Sequence, residues 1–177
     1  MFIKSLAATA TAVIASLTIA PFAEAGLNHK AIANKLHSIG VTTEYGTCAP
    51  SEHGQAIGTY NFIHNHFCIS DVIQDPQLFE ETVTHELVHV IQDCINGGIS
   101  SNEMGSITRW LSEGDVTKEN SMDENLMALL RKANKVDHVH EWTSHMHSDH
   151  KWVEIEAYAL ENSPLFVLQM LNNCNAL

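Results

Sequence analysis

DPQLFEETVTHELVHVIQDCINGG, residues 75–98, is the stretch whose reading decides the fold. Asp75 followed by Pro76 is a helix start, with the acid as N-cap and proline at the first helical position. Phe79, Val83, Leu87, Val90, Ile91 and Cys94 then recur at helical spacing, and Gly97-Gly98 supplies the stop. The spacing predicts one helix of about five turns. Inside it lies His85-Glu86-Leu87-Val88-His89, an H-E-x-x-H string. The chain holds 12 His and 14 Glu in 177 residues, so chance alone supplies roughly 0.06 such strings. Context must therefore decide its meaning. Leu87 and Val88 are apolar, as a helix packed into a core requires.

The surrounding chain reads as a helix-rich α+β domain with a small N-terminal sheet. LNHKAIANKLHSIG (27–40) sets Ile32, Leu36 and Ile39 at helical spacing and stops at Gly40. VTTEYGTCAP (41–50) is β-branched and ends at Pro50, which predicts a strand. AIGTYNFIHNHFCIS (56–70) predicts a hairpin, with strands near 57–62 and 66–70 and with His64 and His66 at its surface turn. Further on, NEMGSITRWLSEGD (102–115) reads as a short helical piece plus loop. TKENSMDENLMALLRKANK (117–135) reads as a helix burying Leu126, Leu129 and Leu130. VDHVHEWTSHMHSDHK (136–151) reads as irregular. KWVEIEAYALEN (151–162) is a helix broken at Ser163-Pro164, and PLFVLQMLNNC (164–174) makes the last one.

The N-terminus differs from the rest. A lysine in MFIK precedes a charge-free apolar run, and Ala23-Glu24-Ala25 gives a small-x-small ending. This pattern predicts a signal peptide over residues 1–25, cleaved between Ala25 and Gly26. The run is short for a membrane span. Removing it leaves 152 residues (26–177), enough for one domain with a real core. That part carries 20 acidic and 8 basic residues, a charge of −12. Such a charge disfavours nucleic acid and anionic membrane surfaces and favours cations. Four cysteines in an exported chain predict two disulfides. Of the three pairings, Cys48–Cys68 and Cys94–Cys174 are favoured, because the first pair flanks the hairpin. The expected location is secreted or periplasmic.

Residues i and i+4 share a helix face, so His85 and His89 can direct imidazole nitrogens at one metal. Glu86 points toward the open coordination position. Zinc held by three protein ligands lowers the pKa of a water to about 7, and a neighbouring carboxylate can take its proton. The pattern therefore predicts one zinc ion with Glu86 as general base.

The third ligand must come from elsewhere. The metzincin extension is absent, since Gln92 stands where its glycine falls and Ile95 where its third histidine falls. WVEIEAYALEN (152–162) offers Glu154 and Glu156, about 200° apart on a helix, so only one faces the metal. Here the chain resembles the gluzincins, zinc peptidases whose third ligand is a glutamate in E-x-x-[AS]-D on a later helix. Glu154-Ile155-Glu156-Ala157-Tyr158 reads E-x-x-A-Y. The resemblance selects Glu154 as ligand and puts Tyr158 at the family's aspartate, where it can bond a ligand histidine or donate to an oxyanion. A second likeness is to the mitochondrial inner-membrane processing peptidases that help assemble ATP synthase. It rests on FCIS, HELVHVIQDC and EIEA, in that order. Together they imply a zincin-like domain that hydrolyses peptide bonds.

His138, His140, His145, His147 and His150 crowd into 13 residues before Glu154. They read as an exposed loop, as a second metal site, or as the source of the third ligand; Asp137 and Asp149 are further candidates. The leading expectation is a zinc metallopeptidase acting on a peptide or protein substrate, with no nucleic-acid or membrane partner after signal removal. The competing readings are a non-enzymatic zinc or copper buffer and an inactive zincin scaffold used for binding.

Overall fold

The computed structural model describes residues 27–48, 50, 51, 54–96, 99, 103–107, 131, 139, 143 and 148–174. The expected signal peptide and most of 108–147 lie outside them. Among the described residues the order is α1 (His29–Ser38), β1 (Thr42–Gly46), β2 (Pro50–Ser51), β3 (Gly54–Gln55), β4 (Gly58–Asn61), β5 (His66–Ser70), α2 (Pro76–Ile95), α3 (Ser148–Leu160) and α4 (Pro164–Asn173). This is a small α+β domain, as the residue pattern predicts.

Helix α1 starts at Asn28, whose side chain accepts from the Ala31 N–H at 3.1 Å. It ends in a left-handed turn: Gly40 has φ of 90°, its N–H reaches the His37 carbonyl, and the Val41 N–H reaches that of Leu36 at 2.9 Å. Those two bonds are a Schellman motif, which needs a residue without a Cβ penalty at positive φ. The turn feeds β1 directly into the sheet.

The sheet has order β1-β5-β4, with β1 parallel and β4 antiparallel to β5. Strand β5 is central, and Phe67, Cys68, Ile69 and Ser70 are all buried. The expected hairpin is present as β4–β5. In its turn, Asn61 accepts from the N–H groups of Ile63 and His64, and Asn65 takes φ of 50°. His64 is exposed there; His66 opens β5, its ring 3.2 Å from Glu44. The β2–β3 pairing was not evident from the residue pattern. The Ser70 N–H donates to the Ile57 carbonyl. Antiparallel register then turns the backbone groups of Thr59 and Asn61 toward β5 and those of Gly58 and Tyr60 away from it.

Helix α2 begins at Asp75, which caps Gln77 and Leu78, with Pro76 in the first turn. It ends at Ile95, two residues before the glycine pair. The exposed end of its ladder is met by a loop: the Gly105 N–H donates to the Gln92 carbonyl at 2.7 Å. A Cβ on Gly105 would come 2.9 Å from Ile95, so only glycine fits that approach. Every residue from Thr82 to Asp93 is buried. A helix buried all round lies inside the core, between sheet and helices, rather than along its surface. Val83, Leu87, Val88, Val90 and Ile91 share one core with Leu36, Phe67 and Ile69 and with Ala157, Leu160, Val167 and Leu171. Both expected disulfides form: Cys48–Cys68, with Cα atoms 5.7 Å apart, and Cys94–Cys174, at 5.9 Å. They fit an oxidising, extracytoplasmic compartment. Among the described residues no helix is long and apolar enough to cross a membrane.

One expectation needs correction. Residues 136–151 are not irregular throughout. Val139 and Thr143 are helical and buried, Thr143 Oγ1 donates to the Val139 carbonyl one turn back, and α3 already runs from Ser148. Val139 and Thr143 share a face at i, i+4 spacing, a signal that the polar hydroxyl of Thr143 and the intervening His140 and Glu141 obscure in the sequence.

Candidate metal centre

Burying α2 on all sides puts His85, Glu86, His89, Gln92 and Asp93 inside the protein. Each buried polar group there needs a partner. The partners come chiefly from α3. His85 Nε2 lies 3.2 Å from Glu154 Oε2 and 3.2 Å from His89 Nε2, and His89 Nε2 lies 3.4 Å from Glu154 Oε1. Donors about 2.05 Å from a tetrahedral ion stand about 3.3 Å apart, so the two imidazole nitrogens are at the spacing of two corners of such a site, and the carboxylate, one oxygen near each, stands where a third ligand falls. Among the described residues His85, His89 and Glu154 form a group that can hold a metal ion. Glu154 is the most open of them, its side chain 27% exposed against 11% and 7% for the histidines. The site therefore opens on the Glu154 side.

The chemistry of the donor set points the same way. His85 Nδ1 is 3.0 Å from Glu161 Oε2, and His89 Nδ1 is 2.8 Å from Gln92 Oε1. The Gln92 orientation is fixed by its own amide, which donates to the Val153 carbonyl and to Glu156 Oε2. Its oxygen must then accept, so His89 carries its proton on Nδ1. A carboxylate beside His85 Nδ1 sets the same tautomer there. Both Nε2 lone pairs thus converge on a carboxylate, an arrangement that attracts a cation.

Titration reflects this convergence. Burial lowers the proton affinity of His89, but the Glu154 carboxylate, helped by Glu86, raises it, and the group ends above its ordinary value. Burial raises Glu154, yet the two imidazoles hold it well below the usual carboxylate range. Glu86 goes the other way. Burial pushes it up and the Glu154 carboxylate adds to the rise, while His85, His89 and the Tyr60 backbone N–H offset this only in part.

Comparison with known protein families, with characterised proteins and with solved structures finds no match to this chain. The residues themselves carry the reading.

Glu156 faces away from the triad, as its angle from Glu154 requires. It is 1% exposed and accepts from Gln92, from Ser106 Oγ and from the Ile107 N–H. Tyr158 lies with its ring edge-on to His85, centroids 4.6 Å apart. Burial, then Glu154 and Glu86, push its phenol up to about 12. Asp137, His138, His140, His145 and His147 lie outside the described residues, as do the side chains of Asp149 and His150.

Four contributors escaped the reading of the sequence. Glu161 sits seven residues after Glu154, on the same face of the chain, although α3 itself ends at Leu160. Gln92 follows His89 by three, again one face. Both signals were visible as spacings. Tyr60 and Gly58 were not, because they act through the tertiary fold. The Tyr60 hydroxyl donates to buried Asp93 at 2.7 Å, and its N–H donates to Glu86. A Cβ on Gly58 would stand 2.5 Å from Thr82 Cγ2 and 3.0 Å from Glu86 Oε1. Strand β4 therefore lies directly against Glu86, and glycine permits it.

Proposed function

We propose that this chain is an exported zinc metallopeptidase of gluzincin type. The observation that carries the reading is the convergence of His85 Nε2 and His89 Nε2, 3.2 Å apart, on the Glu154 carboxylate, one of its oxygens 3.2 Å from the first and the other 3.4 Å from the second, with the Glu86 carboxylate buried beside them. His85, His89 and Glu154 would hold the ion. When bound, zinc supplies positive charge that acidifies a water and polarises a carbonyl. The remaining work belongs to the protein. Glu86 takes a proton from the attacking water and passes it to the leaving nitrogen as the C–O bond forms and the C–N bond breaks. The Tyr60 N–H aims one of the Glu86 oxygens. The Tyr158 phenol, protonated at neutral pH, can donate to charge developing on the carbonyl oxygen.

Strand β4 lies at one side of the β1-β5-β4 sheet, with both backbone groups of Gly58 and the carbonyl of Tyr60 facing away from β5, the Tyr60 N–H being held by Glu86. An extended peptide can align there as an added strand, which brings its backbone beside Glu86. The two disulfides and the N-terminal pattern support a secreted or periplasmic setting.

The decisive experiment is Glu86→Gln, assayed for zinc content and for cleavage of a peptide library. The variant should retain one zinc and lose cleavage. Cleavage at the wild-type rate would remove Glu86 from the mechanism. Binding of several ions that survives His85→Ala would replace the peptidase reading with a metal buffer.

A further inference from the structure

Three glutamates of one short segment, Glu154-Ile155-Glu156-Ala157-Tyr158-Ala159-Leu160-Glu161, reach the motif histidines in three different ways. Glu154 meets both Nε2 atoms. Glu156 reaches His89 only through Gln92. Glu161 meets His85 directly, its Oε2 3.0 Å from Nδ1, in a contact whose side chains are 11% and 10% exposed. Glu154, Tyr158 and Glu161 follow one another at i, i+4 and i+7, which is one stripe of a helical chain. The His85 ring lies along that stripe, with Glu154 at one nitrogen, Glu161 at the other and the Tyr158 ring between.

This geometry makes the two histidines unequal. The Nδ1–H of His89 is held by a neutral amide. That of His85 is held by a carboxylate screened from water. A carboxylate at Nδ1 fixes the tautomer and also increases the basicity of the opposite nitrogen, which strengthens it as a metal donor. An amide fixes the tautomer with much less effect on basicity. Tyr158 cannot supply that charge, because its phenol is held protonated and meets His85 through its ring.

From these contacts we infer that Glu161 is a positioning residue of the metal centre, a negative charge at Nδ1 that orients His85 and strengthens its Nε2 as a ligand. The inference rests on the metal-site reading above. Glu161 acts through His85 and does not itself touch the ion.

The test is zinc affinity by chelator competition on the full chain, for wild type, Glu161→Gln and Glu161→Ala, with imidazole nitrogen NMR of His85 in the same samples. Glu161→Gln keeps an acceptor and the side-chain volume, so the fold is preserved, but it removes the charge. It should weaken zinc roughly 10-fold while His85 stays protonated on Nδ1. Glu161→Ala removes the acceptor as well. It should weaken zinc by up to about 100-fold and give His85 a mixture of tautomers before zinc is added. Glu161→Asp should recover part of the loss, which a purely packing role would not predict. Wild-type affinity and an unchanged His85 spectrum in both Glu161→Gln and Glu161→Ala would overturn the inference. Failure of the wild type to bind zinc would instead remove the metal-site reading beneath it.

Discussion

Gln92 Oε1 accepts the Nδ1 proton of His89 at 2.8 Å, and the same amide donates to Glu156 at 2.9 Å. The position that would hold a glycine in a metzincin motif here holds a side chain that ties a candidate ligand to the adjoining helix and, through Glu156, to Ser106 and Ile107. A residue that is fully buried and makes three such bonds fixes the site and the core at once.

Replacing Gln92 by Leu should expose this. The substitution keeps the volume but leaves His89, Glu156 and the Val153 carbonyl each short of one bond. At about 1 kcal/mol or more per abandoned group, the loss is about 3 kcal/mol. For a domain of this size that lowers the Tm by roughly 6–12 °C. Thermal denaturation of the metal-free protein measures it, and zinc affinity should fall in the same variant. An unchanged Tm would mean that the network contributes nothing net.

Gly58→Ala should separate binding from turnover. The new Cβ meets Thr82 Cγ2 and the Glu86 side chain, so β4 or Glu86 must shift. Metal content should remain at one ion, because none of His85, His89 and Glu154 is touched. A displacement near 1 Å of the proton acceptor costs about 100-fold in rate. Thr82→Ser removes the clashing methyl, so the double variant should recover part of that loss. Peptide cleavage by the three variants tests the pair, and no recovery in the double variant would place the strain elsewhere.

Glu86→Gln should stabilise the metal-free protein at neutral pH. Burial raises the Glu86 carboxyl above its ordinary 4.5 in the fold, so the native state binds its proton more tightly than the unfolded chain does. Wild-type stability therefore declines as pH rises from about 4.5 through the folded-state value, by linkage. Glutamine carries no such penalty and can still accept from the Tyr60 N–H. The Tm advantage of the variant should be present at pH 7 to 8 and vanish near pH 4. Denaturation curves across that range read the difference directly, and an advantage that grows on acidification would contradict the sign.

Metal removal should destabilise the protein. With both Nδ1 protons committed, the Nε2 lone pairs and Glu154 face one another, and a bound ion relieves them. At a thousandfold excess of ion over its Kd the stabilisation is about 4 kcal/mol. Wild type should melt several degrees higher with zinc than after chelation, while His85→Ala should melt at one temperature in both conditions. A zinc-dependent rise that persists in His85→Ala would put the ion at another site.

Several features were legible in the linear order of residues. Asp75-Pro76 started α2 as a cap and a first-turn proline must, the period of its apolar residues ran the helix to Ile95, and His85 and His89 shared a face because four residues make about one turn. The hairpin and both disulfide pairings followed from strand formers and from which cysteines flank them. The same local rules misread 136–151, where the buried pair at i, i+4 is one valine and one polar threonine with His140 and Glu141 between them.

The sequence by itself determined which residues can bind a metal and on which elements they stand, since helical period and capping are local properties. Only the tertiary structure decided how the three glutamates divide between the histidines and their supports, because packing α3 against α2 sets its rotation, turning Glu161 as well as the expected Glu154 toward His85 and Glu156 toward Gln92. The place of β4 beside Glu86 was likewise beyond local rules. It depends on sheet order and on a glycine whose missing side chain matters only once Thr82 and Glu86 are packed against it.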